Sequence, residues 1–250
     1  MPSSSFKDHF SRQASDYAAY RPWYPAELYA HLAAVSPQHE RAWDCATGNG
    51  QAARGLAEYF AHVVATDASV SQLRNRHEHA RIDYCASLAE AVPLAAGSCD
   101  VVTVAQAVHW FDFERFYAEV RRVLKPGGVI ALWTYGGFGI RPHIDRCIDH
   151  FYEHVVGPFW PPERRYIEED YRTVPFPFAE LRSPAIVFET SWTLDHLMNY
   201  LGTWSAVLRF RDARGTDPLP ALRAELGQLW GAPEATHQVR WPLTLRVGRI

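Results

Sequence analysis

From Arg41 to Tyr135 short apolar runs alternate with amphipathic stretches. Arg41–Ala46 is a short apolar run that ends in a glycine-rich turn, and Gln51–Phe60 carries Ala, Leu and Phe at helical spacing. His62–Thr66 is a second apolar run, ending at Asp67. Ser69–His77 predicts a polar helix with Ser69 as its N-cap, because a serine hydroxyl can accept from a free N–H of the first turn. Ile82–Cys85 is a third run, and valine-rich Asp100–Gln106 (DVVTVAQ) is the clearest strand. Phe113, Phe116, Tyr117, Val120, Val123 and Leu124 share one helix face, which Pro126-Gly127-Gly128 then stops. Val129–Trp133 predicts a fifth strand. Strand, helix and strand at this spacing predict βαβ units and a parallel sheet. Ligands on such sheets sit outside the carboxyl ends of the strands. Asp44–Gly50, Asp67, Ser87–Glu90, Gln106–Trp110 and Trp133–Gly137 all fall there.

Outside this stretch residues 6–35 predict one or two helices, interrupted at Arg21–Pro25. Residues 141–156 predict a helix, and the prolines between 157 and 184 predict loop. Ala185–Thr193 predicts a strand, Leu194–Tyr200 and Leu219–Trp230 helices, and Trp241–Ile250 a last strand. The expected plan is a helical lid over 1–40, an α/β core over 41–136, a cap or substrate region over 137–235 with a core strand near 185–193, and a final core strand over 236–250.

Composition narrows the chemistry. A chain of 250 residues, 48% hydrophobic, can bury a full core without staples. A net charge of −3 argues against a dedicated nucleic-acid binder. Cys45, Cys85, Cys99 and Cys147 form no zinc-type spacing and predict reduced thiols in a cytoplasmic protein. MPSSSFKDHF lacks the apolar centre of a secretory leader, and no apolar run is long enough to predict a membrane span. Lys7 and Lys125 are the only lysines, so Schiff-base chemistry has few candidates. His77-Glu78-His79 lies on a polar stretch, and no metal is expected.

Asp44-Cys45-Ala46-Thr47-Gly48-Asn49-Gly50 is the most informative stretch. Glycines 48 and 50 let the backbone approach a ligand, since no Cβ intervenes. Asp67 ends the second run, where a carboxylate can accept from both hydroxyls of a ribose. Together they point to an adenosine-type ligand. A dinucleotide would set its pyrophosphate at the helix N-terminus, whereas S-adenosylmethionine (SAM) carries an amino acid and no phosphate. Asp44 at the mouth of the turn would repel pyrophosphate and suits an ammonium. The chain also lacks a Tyr-x-x-x-Lys pair, so the Gly48-x-Gly50-x-x-Ala53 match to a dinucleotide fingerprint loses ground. A nicotinamide-dependent oxidoreductase and a non-catalytic SAM-binding protein are the alternatives.

With these residues the chain resembles the class I SAM-dependent methyltransferases over about residues 6–135. Asp44–Gly50 is similar to that family's first motif, with Ala46 in place of its first glycine, so a slightly wider turn is expected. Asp67 resembles the ribose-binding acid, and Ser87-Leu88-Ala89-Glu90 the segment flanking the adenine. Asp100–Asp112 and Arg122–Gly128 resemble the fourth strand and the turn before the fifth. The resemblance implies a Rossmann-like α/β fold, a mostly parallel twisted sheet of seven strands with a helical cap. SAM would be the cofactor and S-adenosylhomocysteine the product. It implies a cofactor pocket shaped by Tyr17, Arg21, Asp44, Ala46, Gly48, Gly50, Asp67, Ala68, Leu88, Ala89 and Gln106, with Arg21 reaching the SAM carboxylate from a lid.

Phe10, Tyr17 and Tyr20-Arg21-Pro22-x-Tyr24-Pro25, taken with Ala107-Val108-His109-Trp110-Phe111, resemble the group containing trans-aconitate methyltransferase. That implies a small-molecule acceptor, carboxylates among the known ones; the net charge and the lack of a long apolar run argue against a nucleic-acid or a membrane partner. His109 is the candidate catalytic residue, a base with an unperturbed pKa of about 6.5, or else an organiser of its loop. Trp110 beside it, Trp133 and Tyr135 are candidate substrate contacts; the last two end the fifth strand, where aromatic faces can attract a sulfonium or else pack in the core. Arg209, Arg211 and Arg214 beside Trp204 offer an anion site, or a solvated face.

Overall fold

The computed structural model describes residues 20–232 and 234–250, so Phe10 and Tyr17 lie outside the described residues. Five parallel strands are laid down first: β1 (Arg41–Cys45), β2 (His62–Asp67), β3 (Ile82–Ala86), β4 (Cys99–Ala105) and β5 (Leu124–Thr134). Three more follow: β6 (Ala179–Leu181), β7 (Ile186–Trp192) and the long β8 (His237–Arg249), on which β5, β6 and β7 all pair antiparallel. The order is β3-β2-β1-β4-β5-β8-β6, a path of seven strands, with β7 pairing β8 off that path. The expected Rossmann-like, mostly parallel sheet is therefore present, widened by β7.

The central strand explains itself. In β4, Val101 faces one core and Val102 and Val104 the other, all fully buried. A strand covered on both faces reads as a nearly continuous apolar run, as this one does. On one face pack α1 (Ala26–Val35) and α2 (Gln51–Leu56), through Leu28, Leu32, Ala53 and Leu56. On the other packs α4 (Phe113–Val123), which buries Phe116, Tyr117, Val120 and Val123. Asp112 caps α4 by accepting from the Arg115 N–H at 3.2 Å. Between β2 and β3 lies the short α3 (Val70–Arg74), and its expected cap, Ser69, accepts from the Gln72 N–H at 3.3 Å.

Buried Asp100 fastens one end of the sheet. Its Oδ2 accepts from the Glu40 and Arg41 N–H groups at 2.9 and 2.8 Å, and Lys125 Nζ lies 2.8 Å from its Oδ1. One carboxylate thus ties the starts of β1, β4 and β5 together.

Pro126-Gly127-Gly128 ends the helix as expected but does not interrupt the strand. β5 already begins at Leu124, and the register against β4 slips between the Cys99 and Val101 pairings. A bulge takes up the turn. The proline-rich stretch is more ordered than expected. It holds a 3₁₀ turn (Gly157–Phe159), α6 (Arg164–Glu168) and β6. Pro161 and Pro162 sit just ahead of α6, where a missing N–H costs no helical bond. The rest of the cap comprises α5 (Pro142–His150), continued by a wider π turn at Phe151–Val155, α7 (Leu194–Gly202), α8 (Ser205–Arg214) and α9 (Leu219–Trp230). No described helix is long and apolar enough to cross a membrane.

Candidate functional site

The carboxyl ends of β1, β2 and β4 open on a cavity of about 480 Å³. Its floor is the loop after β1. Ala46 there has φ +54°, the left-handed region that costs an L-residue about 1–2 kcal/mol. The turn thus keeps a glycine-like geometry and carries strain at Ala46, where a wider turn was expected. Gly50 (φ +90°) heads α2, and a Cβ there would stand 2.1 Å from Tyr84 Oη, so only glycine fits without displacing that ring.

Asp67 is held by two backbone N–H groups. Its Oδ2 accepts from the Gly48 N–H at 2.8 Å and its Oδ1 from the Ser69 N–H at 2.7 Å. This couples the loop after β1 to the end of β2, with the carboxylate on the cavity wall. Ala46, Gly48, Ala68, Leu88, Ala89 and Gln106 line the same cavity.

Asp44 behaves differently. It is fully buried and does not reach the cavity. Its two oxygens accept from the Thr47 and Thr103 hydroxyls at 2.5 and 2.8 Å. Burial pushes its carboxyl up to about 6, against the pull of those hydroxyls. It braces the loop from beneath, instead of facing a ligand at its mouth.

A second, smaller chamber adjoins the first. Its wall includes Arg21, Tyr135, Trp160, Arg164, Tyr200, Thr203, Trp204 and Ser205. Gln106, His109 and Trp110 line both spaces and so form the partition. Gln106 is itself held in a left-handed conformation, φ +58°. Its amide donates to Tyr135 O at 3.0 Å and accepts from the Thr134 hydroxyl at 2.7 Å. Backbone conformations of this kind cluster at functional sites, where surrounding bonds over-determine them.

The chamber is electropositive. Two guanidiniums line it and, among the described residues, no carboxylate does. Arg21 Nη1 donates to Tyr135 Oη at 3.3 Å and lies 5.1 Å over the Tyr200 ring. Arg164 Nε donates to Tyr152 Oη at 2.8 Å, with the guanidinium 4.5 Å over Trp160 and Glu168 at 4.0 Å. His109 is buried, with Nδ1 3.0 Å from Tyr171 Oη. Burial, and then the charge of Arg164, push the imidazole down to about 3, so it is neutral at any ordinary pH.

The residues named from sequence are therefore distributed over three settings. Ala46, Gly48, Asp67, Ala68, Leu88, Ala89 and Gln106 share the larger cavity. Arg21, His109, Trp110 and Tyr135 meet in the smaller chamber, Arg21 away from the cavity wall where it was expected. Asp44 and Gly50 support the loop without lining either space. Trp133 is fully buried, edge-on to Tyr24 at 5.5 Å, and lines neither space. Tyr135 lies on the same strand face one pleat further out, which brings it to the chamber. Of the arginine cluster on α8, Arg211 pairs with Asp217 at 3.0 Å and Arg214 lies over Phe159, and none lines the chamber.

Sequence reasoning missed Arg164, Trp160, Tyr171, Tyr200 and Glu163. They are distant in the chain from the sheet motifs, and all but Tyr200 sit in the stretch its prolines marked as loop. The concentration of aromatics around Arg164 was the available signal.

A family model described as "Methyltransferase domain" matches residues 43–132. A Dictyostelium discoideum protein named as a methyltransferase is 32% identical over 227 residues, covering 89% of this chain and 86% of its own. A solved structure from Anaeromyxobacter dehalogenans, described as a type II methyltransferase, superposes with a TM-score of 0.87 at 44% identity, covering 92% of this chain and 98% of that one.

Proposed function

This chain belongs to the class I SAM-dependent methyltransferases, and we propose that it methylates a small organic carboxylate held in the smaller chamber. The observation that carries the proposal is the chamber itself: two arginines and, among the described residues, no carboxylate in its wall, with Gln106, His109 and Trp110 shared with the larger cavity.

The fold implies SAM, and the larger cavity suits it. Its volume lies within the range of about 300–1,000 Å³ common to small-ligand sites. Asp67 supplies an acid for ribose hydroxyls, and the small residues at 46 and 48 leave the floor open. Asp67, Ala46, Gly48, Ala68, Leu88, Ala89 and Gln106 would hold the cofactor. Bound SAM supplies a methyl group on a sulfonium, open to in-line displacement.

The protein's own part is chiefly placement. Holding a nucleophile in line can lower a barrier by about 7–11 kcal/mol. A carboxylate acceptor is already ionised at neutral pH and needs no general base. The chamber suits such an acceptor, because His109 is far too weak a base at pH 7 and two guanidiniums would repel an ammonium. Arg164 and Arg21 give the carboxylate charge-assisted donors. The resemblance of residues 20–25 and 107–111 to the trans-aconitate methyltransferase group supports the same class of acceptor. A cytoplasmic setting with no nucleic-acid or membrane partner belongs to this proposal as well.

Calorimetry with SAM and S-adenosylhomocysteine tests the cofactor site. Wild type should bind both, and Asp67→Ala and Asp67→Asn should each weaken binding at least tenfold. A panel of small carboxylic acids, phenols and amines then tests the acceptor, read by S-adenosylhomocysteine release. Turnover of acids, with KM raised tenfold or more by Arg164→Gln, is expected. Preference for amines would overturn the carboxylate reading while leaving the cofactor site intact.

A further inference from the structure

Tyr171 is fully buried beneath the partition, and its placement is unusually forced. Asp170 and Tyr171 have φ +52° and +55°, two successive non-glycine residues in the left-handed region. Such a conformation is strained for any residue but glycine and persists only where its surroundings over-determine it. Here the surroundings are explicit. Tyr171 N–H donates to Tyr166 O at 2.8 Å, and Arg246 Nη1 donates to Tyr171 O and Val174 O at 3.0 and 2.9 Å. Arg246 is itself held by a two-pronged pair with Glu180, both bonds at 3.0 Å. A strained turn clamped from β8 thus delivers one phenol hydroxyl to His109 Nδ1 at 3.0 Å.

We propose that Tyr171 is a positioning residue that donates its O–H to Nδ1 of His109, fixes the Nε2–H tautomer, and so makes His109 a hydrogen-bond donor toward the methyl acceptor. Of the two partners phenol is the stronger acid and imidazole the stronger base, so the shared proton sits on oxygen and points at nitrogen. The remaining ring nitrogen must then carry the imidazole's own hydrogen. Nε2 has no hydrogen-bond partner among the described residues, and the ring lines both cavities. A neutral N–H there favours one carboxylate oxygen of the acceptor and orients the other. A bare Nε2 lone pair would repel the same group. The inference rests on the reading of this chamber as the acceptor site, and it replaces a base at position 109 with a donor.

The tautomer can be read without knowing the acceptor. Protein labelled with ¹⁵N-histidine gives separate Nδ1 and Nε2 resonances for each ring, and the set belonging to His109 is the one lost in His109→Gln. In wild type at pH 7 the expected result is an unprotonated Nδ1 and a protonated Nε2. In Tyr171→Phe, which keeps the ring and removes only the hydroxyl, the His109 signals should shift toward a mixture of tautomers. S-adenosylhomocysteine affinity should stay within about twofold, as Tyr171 lies outside the cofactor cavity. A protonated Nδ1 in wild type overturns the proposal outright, whether or not the variant folds. An unchanged tautomer in a folded Tyr171→Phe protein overturns the role of the hydroxyl. Absence of S-adenosylhomocysteine binding by wild type would instead strike the methyltransferase reading, and calorimetry on the same samples separates the two.

Discussion

Replacing Asp44 by asparagine should make the protein more stable at neutral pH while leaving ligand affinity nearly intact. Asp44 is fully buried, and burial pushes its carboxyl from an ordinary value of 3.8 up to about 6. A raised pKa means that the folded state holds the proton longer than the unfolded one. The associated stability is fully present below pH 3.8, declines between the two values, and is gone once pH exceeds the folded-state pKa. A shift of this size corresponds to about 3 kcal/mol in full, of which about 2–2.5 kcal/mol falls between pH 4 and pH 7. Asparagine keeps an oxygen to accept from a Thr hydroxyl and never ionises. Urea unfolding of wild type and Asp44→Asn from pH 4 to 8 isolates the effect, since every other titrating group cancels in the difference. The Asp44→Asn variant should gain about 2–2.5 kcal/mol on wild type across that range, with most of the gain between pH 4 and 6. Parallel pH profiles would refute the claim that Asp44 is ionised at a cost in the folded state. A loss of S-adenosylhomocysteine binding by more than tenfold in a folded Asp44→Asn protein would refute its assignment as a brace beneath the loop.

Other substitutions test the same loop and its foundations. Ala46→Gly should raise stability by about 0.5–1 kcal/mol in urea titration, because relief of left-handed strain exceeds the entropy a glycine adds to the unfolded chain. Gly50→Ala should cost about 2–5 kcal/mol, combining left-handed strain with a clash at Tyr84. In a Tyr84→Leu background part of that loss should vanish, and a double-mutant cycle measures how much. Asp100→Ala should cost about 2–4 kcal/mol in thermal or urea unfolding, since it leaves two N–H groups unmatched at the foot of the sheet and removes the buried partner of Lys125, which keeps Glu40 at 2.6 Å.

The parallel half of the sheet was legible because it is built from local units. Each apolar run is bounded by a turn, and the valines of β4 speak for burial on both faces. The antiparallel half was less so. The strands themselves were expected, near 185–193 and over 236–250, but nothing local says that the first half of β8 pairs with β7 and its second half with β5 and β6. Gly48 and Asp67 were readable because a glycine-rich turn and an acid after strand two have a shared chemical purpose. Asp44 was placed wrongly for a physical reason: sequence shows a charge beside a turn but not the hydroxyls of Thr47 and Thr103 that draw it inward. The chamber was the hardest part. Arg21, His109, Arg164 and Tyr200 come from four separate segments, and only tertiary packing brings them together.

The double use of β8 has a consequence for how the chain is made. Val129–Trp133 of β5 are completely buried, and β8 supplies their outer neighbour. On the ribosome, β5 emerges about a hundred residues ahead of β8, which at about 5–20 residues per second is a delay of roughly 5–20 s. Throughout that interval the nascent sheet presents an apolar, unpaired edge of the sort that recruits foreign strands. Yield in a cell should therefore respond to translation speed and to chaperones that shield exposed edges, even for variants whose finished fold is as stable as wild type.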